Sequence, residues 1–110
     1  MNGLRVAIVG ATGLVGQEFM KILAQRNFPL KSISLLASDR SAGRKLWFKG
    51  QELQVQETSS DSFNDIDLAL FSAGAEISRH FSPIAAQKGV LVIDNSVAFR
   101  MESNVPLVVP

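Results

Sequence analysis

The residue pattern best suited to chemistry is a stretch of three glycines at every third position, Gly10–Gly16. It follows the apolar run Leu4–Val9 and opens a helical pattern. Glycines let a backbone turn tightly and approach a pyrophosphate, and the amides and positive dipole of a helix N-terminus then face that anion. The context predicts a dinucleotide phosphate site. A tight strand-to-helix connection without a ligand is the alternative.

The polar segment after the second predicted strand bears on which dinucleotide would bind. Ser38 stands where an acidic residue would bind the ribose 2′-hydroxyl of NAD. Arg40 and Ser41 follow it and can supply a guanidinium and a hydroxyl to a 2′-phosphate, which favours NADP. Asp39, turned inward, would instead favour NAD. Asp39 and Arg40 could also be ordinary loop charges.

Two later segments end predicted strands, and the carboxyl ends of parallel strands meet at one sheet edge, where ligands bind. Ser72–Gly74 would let a ribose or phosphate come close, or Ser72 could cap the next helix. Asn95 and Ser96 offer neutral hydrogen-bonding groups. Arg100 lies just beyond and could bind a phosphate, although a lone arginine is usually a solvated surface charge.

Strand and helix patterns alternate along the chain. The predicted strands are Leu4–Val9, Ile33–Ala37, Asp67–Phe71 and Val90–Ile93, the helices are Leu14–Arg26 and Glu76–Lys88, and a hairpin joins Leu46–Phe48 to Leu53–Val55. Such alternation predicts an α/β fold with a Rossmann-like, doubly wound and mostly parallel sheet, carrying a small β-hairpin insertion. Residues 1–110 would form one NAD(P)-binding domain.

Helical spacing also predicts which side chains face inward. We expect the inward set to be Val15, Phe19, Ile22 and Leu23 in the first helix, and Ile77, Phe81, Ile84 and Ala85 in the second. Trp47 and Phe48 are interpreted as packing residues, and His80 as a surface residue.

Composition excludes several classes of function. The 110 residues contain no cysteine and one histidine, which leaves no thiolate nucleophile and no histidine cluster for a metal. Net charge is +1, without a basic block, which gives no case for nucleic acid. No apolar run is long enough for a membrane span, and no signal peptide is visible. A soluble, cytoplasmic protein is expected.

Taken together, the motifs resemble the N-terminal coenzyme-binding domain of bacterial aspartate-β-semialdehyde dehydrogenases. The resemblance spans the whole chain and rests on the order of several motifs. These are Val6–Gly16, Leu36–Gly43, Phe71–Gly74, Val92–Met101 and Val105–Pro110.

The resemblance implies an oxidoreductase that interconverts aspartyl-β-phosphate and aspartate-β-semialdehyde with NADP(H), on the route to lysine (with diaminopimelate), threonine and methionine. It implies that Gly10 and Thr12–Val15 hold the pyrophosphate. It assigns the 2′-phosphate to Arg40 and Ser41 beside Ser38, the cofactor cleft to Ser72, Ala73 and Gly74, the nicotinamide half to Asn95 and Ser96, and the substrate phosphate to Arg100.

The family's nucleophilic cysteine and its histidine base would lie downstream of these residues. The resemblance therefore implies a domain cut from a longer enzyme, inactive alone, whose intact form is a homodimer acting on a small acyl phosphate or aldehyde. Two alternatives stay open at this point. One is a stand-alone nucleotide-binding or sensing module without catalysis, and the other is the same domain of an N-acetyl-glutamyl-phosphate reductase.

Overall fold

The computed structural model describes residues 3–26, 28–72 and 74–94. Two helices, seven strands and one 3-10 turn follow one another along this part of the chain. They are β1 (Leu4–Val9), α1 (Leu14–Gln25), β2 (Leu30–Ala37), β3 (Lys45–Phe48), β4 (Gln51–Gln54), β5 (Gln56–Glu57), the 3-10 turn Ser60–Phe63, β6 (Leu68–Phe71), α2 (Ala75–Gln87) and β7 (Leu91–Asp94).

Five of the strands form one parallel sheet in the order β5-β2-β1-β6-β7, and β3 pairs with β4 in a separate antiparallel hairpin. This architecture confirms the predicted fold class. Because β1 lies between β2 and β6, the chain first adds β2 and β5 on one side of β1 and then adds β6 and β7 on the other side. The register sets Val9 beside both Leu36 and Phe71, which aligns the carboxyl ends of these three strands.

The central strand β1 is apolar throughout its last four residues because both of its faces are covered. Val6 and Ile8 pack in a core with Met20 and Leu23 of α1 and with the hairpin, while alternate residues of the strand point to the opposite face. The second core joins Ala7 and Val9 to α2 and the 3-10 turn, and its buried members include Phe63, Phe71 and Ala85. One helix thus covers each face of the sheet.

The predicted inward faces are confirmed for Phe19 and Leu23 of α1 and for Phe81, Ile84 and Ala85 of α2, and they are wrong for Val15, Ile22 and Ile77. In α1, Val15 and Ile22 are 38% and 41% exposed, and the buried positions are Gly16, Met20 and Leu23. The side of α1 that carries Gly16 faces the sheet, because a glycine allows the closest approach of the helix. In α2, Ile77 is partly exposed and Ser78 is buried instead, with its hydroxyl 3.3 Å from that of Ser82.

The hairpin also corrects an expectation, because Trp47 does not pack. Phe48 is buried in the first core, whereas Trp47 is 69% exposed. Neighbouring residues of a strand point to opposite sides, so only one of the two can face the core. Lys49 and Gly50 connect β3 to β4 with positive φ angles of 52° and 79°, the conformation that tight hairpin turns require.

Pattern reasoning missed β5, which pairs with the end of β2 and forms one edge of the sheet. A strand of two residues is too short to show periodicity. The second strand is also longer than predicted, since it begins at Leu30. No helix within the described residues is long and apolar enough to cross a membrane. Ala73 and residues 95–110, including Val105–Pro110, lie outside the described residues.

Candidate dinucleotide-binding site

The turn after β1 is held against the neighbouring strand β2. The amides of Gly10 and Ala11 both donate to the Leu36 carbonyl, at 2.8 and 3.0 Å. Gly10 has a φ of 91°, which side-chain-bearing residues rarely adopt. The chain therefore leaves the sheet sharply at the carboxyl end of β1, and α1 begins directly over that edge.

The other two glycines of the motif have different roles. A Cβ on Gly16 would collide with the Gly10 carbonyl oxygen and come within 2.8 Å of the Ala11 Cα, so this position must be glycine for the helix to pack on the turn. A Cβ on Gly13 would meet only the Gly10 oxygen, at 3.5 Å, an ordinary contact. Gly13 is exposed and has an extended backbone. Nothing in the fold itself demands glycine there.

The start of α1 leaves backbone donors open toward an anion. Its N-cap, Gly13, provides no side-chain cap, and its first turn contains no acidic residue. Within the part of the chain that the structure describes, no group accepts from the amides of Thr12, Leu14 or Val15. The Gly13 amide is already used, because it donates to the Gly10 carbonyl at 3.1 Å. Open amides at a helix start are the usual donors to a phosphate.

A cavity of about 590 Å³ lies at this edge, beside Gly10, Thr12 and Gly13. Its other walls come from the ends of β2, β5 and β6 and from α2. It sits between the ends of β1 and β6, where the strand order reverses and where doubly wound sheets bind their ligands. Its volume falls within the range of small-molecule pockets.

The loop after β2 contributes Ser38 and Asp39 to the cavity wall. The Ser38 carbonyl accepts from the amides of both Ser41 and Ala42, each at 3.0 Å, and this tight turn leaves Arg40 exposed at its tip. Arg40 and Ser41 do not line the cavity. The Ser41 hydroxyl is nevertheless 3.4 Å from that of Thr12, which links this loop to the glycine turn.

Sequence reasoning missed a second acidic residue in the cavity wall, Glu57, together with Thr58. Thr58 donates to the Ala37 carbonyl through its amide at 2.9 Å and through its hydroxyl at 3.1 Å. These bonds bring the end of β5 beside the end of β2, so that Asp39 and Glu57 lie on the same side of the cavity. The only signal in the sequence was the polar run after Val55.

The turn after β6 forms the opposite wall. The Ser72 hydroxyl donates to the Val9 carbonyl at 3.1 Å and lies 3.4 Å from that of Gly10, so Ser72 ties β6 to β1 and does not cap α2. Gly74 is the N-cap of α2, with a φ of 106°. Ile77 and Phe81 of α2 supply an apolar wall that the sequence did not assign to the cavity. The candidate residues Ala73, Asn95, Ser96 and Arg100 lie outside the described residues.

The opposite, amino-terminal edge of the same strands carries an ion pair. Arg5 donates to Asp67 from its backbone amide, its Nε and its Nη2, at 2.8, 3.0 and 2.9 Å. These hydrogen bonds from the Arg5 side chain and backbone lower the pKa of Asp67 to about 2. Asp65 is a weaker partner, 3.8 Å from Arg5 Nη1.

Fold and cavity together define the class: this is an α/β domain of the doubly wound type, with a cavity at its switch point, where such folds bind their ligands. The family described as "Semialdehyde dehydrogenase, NAD binding domain" matches residues 5–110. The chain belongs to that family.

Individual relatives agree with this assignment. The chain is 56% identical over 109 residues to aspartate-semialdehyde dehydrogenase of Bacillus subtilis, covering 99% of this chain and 32% of that protein. It is 55% identical to the enzyme of the same name from Aquifex aeolicus, covering 98% and 32%. The structure matches aspartate semialdehyde dehydrogenase II of Vibrio cholerae with a TM-score of 0.85 and 45% identity, covering 98% and 32%. The chain thus spans about a third of the length of these relatives.

Proposed function

We propose that this chain is the coenzyme-binding domain of an NADP-dependent aspartate-semialdehyde dehydrogenase. The observation that carries the proposal is the cavity at the switch point, which Thr12 and Gly13 line directly before α1, next to amides that have no acceptor among the described residues. The similarity to relatives of that name adds the particular reaction.

In that enzyme, L-aspartate 4-semialdehyde, phosphate and NADP would interconvert with aspartyl-4-phosphate and NADPH, serving lysine, threonine and methionine biosynthesis. The nucleophilic cysteine must then come from residues beyond this chain, which contains none. The domain's own part is to bind and orient the dinucleotide. A soluble cytoplasmic homodimer is part of the same proposal.

The residues divide the cofactor among them in this proposal. The amides of Thr12, Leu14 and Val15 hold the pyrophosphate, and Gly13 leaves room for it. Ser72 lines the cleft where β6 ends, with Gly74 beginning the next helix. Asn95, Ser96 and Arg100 are assigned to the nicotinamide half and the substrate phosphate by family resemblance alone.

The preference for NADP depends on charge at the end of β2. Arg40 at the loop tip supplies a guanidinium that can pair with a 2′-phosphate, and Ser41 adds a hydroxyl. Asp39 and Glu57 line the cavity and oppose that phosphate. The structure of aspartate semialdehyde dehydrogenase with NADP from Candida albicans matches this chain with a TM-score of 0.67 and 28% identity, covering 98% of this chain and 34% of that one. It supports the choice of NADP.

The test is a calorimetric titration of the folded protein with NADP and then with NAD, at low salt. Tighter binding of NADP than of NAD supports both the cofactor site and the role of Arg40. Equal affinities would contradict the assignment of the 2′-phosphate to Arg40 and Ser41. Binding of neither by a protein with intact circular dichroism would contradict the proposed function itself.

A further inference from the structure

Glu57, at the end of the edge strand β5, lines the cavity at the switch point. Neither the sequence motifs nor the family resemblance gives this carboxylate a role in binding the cofactor. Its place is set by the pairing of β5 with β2, which puts Glu57 directly beside Ala37. The next residue, Thr58, secures that pairing, because its amide and its hydroxyl both donate to the Ala37 carbonyl. The backbone of Glu57 is therefore fixed beside the last residue of β2.

The pairing also decides the face of the sheet on which Glu57 lies. Residues in register on neighbouring strands point to the same face. Ala37 packs in the first core, to which α1 contributes Met20, so Glu57 lies on the α1 face of the sheet. Because neighbouring strands are about 4.8 Å apart, a glutamate side chain on β5 reaches a group bound beside the end of β2.

The end of β2 is where doubly wound folds bind the ribose of the adenosine half. An acidic residue there accepts a hydrogen bond from the ribose 2′-hydroxyl. In this chain Ser38 stands at that position, and its side chain has no charge. Ser38 directly follows Ala37, the residue beside Glu57. The neighbouring strand thus supplies a carboxylate next to the position that lacks one.

The two carboxylates of the cavity wall are unpaired but differ in how they are held. Asp39 and Glu57 accept no hydrogen bond and form no ion pair within the described residues. Asp39 lies in the exposed turn that the Ser38 carbonyl closes, directly before Arg40. Glu57 lies on a paired strand. Glu57 is therefore the better-positioned acceptor, because less backbone freedom is lost when it binds a ligand.

We propose that the Glu57 carboxylate accepts a hydrogen bond from the 2′-hydroxyl of the adenosine ribose of NAD, and that the domain thereby binds NAD as a second cofactor beside NADP. This inference rests on the proposed function and adds a second specificity residue to Arg40. The two residues act in opposite directions. Arg40 attracts the 2′-phosphate of NADP, whereas Glu57 repels that phosphate and binds the free hydroxyl, which has a proton to donate.

The test compares NAD with 2′-deoxy-NAD, whose adenosine ribose lacks the 2′-hydroxyl, by calorimetry on the complete protein that contains this chain. The parent should bind NAD at least about tenfold more tightly than the deoxy analogue, as expected for a hydrogen bond to a charged acceptor. Glu57→Ala should bind NAD and the analogue equally. Asp39→Ala, which deletes the other carboxylate of the cavity wall, should keep the discrimination.

A second variant separates charge from hydrogen bonding. Glu57→Gln keeps the size of the side chain but removes its charge, and it should raise the affinity for NADP about fivefold by relieving the repulsion of the 2′-phosphate. This gain should shrink as salt is added. Glu52→Gln is the matched control, because it removes the same charge from an exposed residue of β4 that does not line the cavity, and it should change none of these affinities.

Equal binding of NAD and 2′-deoxy-NAD by the parent would overturn the proposal, and so would a Glu57→Ala protein that keeps the discrimination. A parent that binds NADP but not NAD would overturn it as well. An equal loss of NAD and NADP affinity in Glu57→Ala would show that Glu57 only supports the cavity wall. All of these outcomes leave the proposed function intact, whereas a folded parent that binds neither cofactor would contradict that function and this inference with it.

Discussion

The two ends of the central strands β1 and β6 are built in opposite ways. At the amino-terminal end, the side chains of Arg5 and Asp67 satisfy each other through two hydrogen bonds, and the Arg5 amide adds a third. At the carboxyl end, the strands open into glycine and serine turns. There the amides of Thr12, Leu14 and Val15 have no acceptor among the described residues.

The amino-terminal end therefore stabilises the sheet, whereas the carboxyl end is suited to binding a ligand. Polar groups that already satisfy each other have little to offer a ligand, whereas open amides beside a cavity can bind one. The carboxyl end nevertheless contains fixed parts, namely the Gly10 and Ala11 amides and the position of Gly16. The predictions below test which residues belong to which role.

The largest effect is expected at Gly16, although it belongs to the glycine motif of the binding edge. Gly16→Ala places a methyl group against backbone atoms of Gly10 and Ala11, which cannot move aside cheaply. We expect a loss of roughly 3 kcal/mol in the free energy of unfolding, measured by urea denaturation. Gly13→Ala is the matched control and should cost less than about 1 kcal/mol, the preference of an N-cap for glycine over alanine, because its Cβ finds ordinary contact space. Similar losses for both variants would show that the whole turn is structural.

The next largest effect is on ligand binding alone. Gly13→Val should keep the fold, since the backbone of Gly13 is extended and its surroundings are open. The larger side chain would occupy space at the cavity wall, and we expect binding of both NADP and NAD to be lost in calorimetry. Normal binding by a folded Gly13→Val protein would remove this turn from the proposed pyrophosphate site.

A selective effect is expected at the tip of the loop after β2. Arg40→Ala should weaken NADP binding about tenfold, the cost of one charge-assisted hydrogen bond, and leave NAD binding nearly unchanged. Arg44→Ala, an exposed arginine in the same segment, serves as the control. An equal loss for both cofactors would mean that Arg40 supports the loop and does not read the 2′-phosphate.

The smallest effect is expected at the amino-terminal edge and depends on pH. Because the folded-state pKa of Asp67 is lowered to about 2 from an ordinary 3.8, its ionised form favours the folded protein. Asp67→Asn should therefore destabilise the protein at neutral pH, and the difference from the parent should shrink as pH falls from about 4 toward 2. Cofactor affinity at neutral pH should not change.

Urea titrations across this pH range would measure the effect. Asp65→Asn should show almost none of it, because Asp65 is exposed and 3.8 Å from Arg5. A difference between Asp67→Asn and the parent that stays constant down to pH 2 would contradict the role of the ion pair.

Much of the fold could be predicted because its signals are local. β1 shows a continuous apolar run, since both of its faces are covered, and the glycine spacing marks the start of α1 at Leu14. The hairpin was predicted from its alternation and from Lys49–Gly50. The short strand β5 was missed because two residues contain no periodicity. For the same reason Glu57, the second acidic residue of the cavity, was not predicted.

Other errors arose where neighbouring residues compete for one buried position. Helical spacing allowed Val15 and Ile22 to face inward, but close packing at Gly16 turned α1 away from them. The pair Trp47 and Phe48 gave no indication of which ring would be buried. Orientation of the hairpin against α1 decided that, and it left Trp47 exposed.

The sequence by itself determined the order of strands and helices, the glycine turn and the family, because each depends on residue type and spacing along the chain. Only the tertiary structure decided that Gly16 serves packing while Gly13 faces the cavity, that Asp39 and Glu57 share one wall, and that Arg5 meets Asp67. Those facts depend on distances between residues far apart in the chain. Such distances exist only once the parallel strands have set their register.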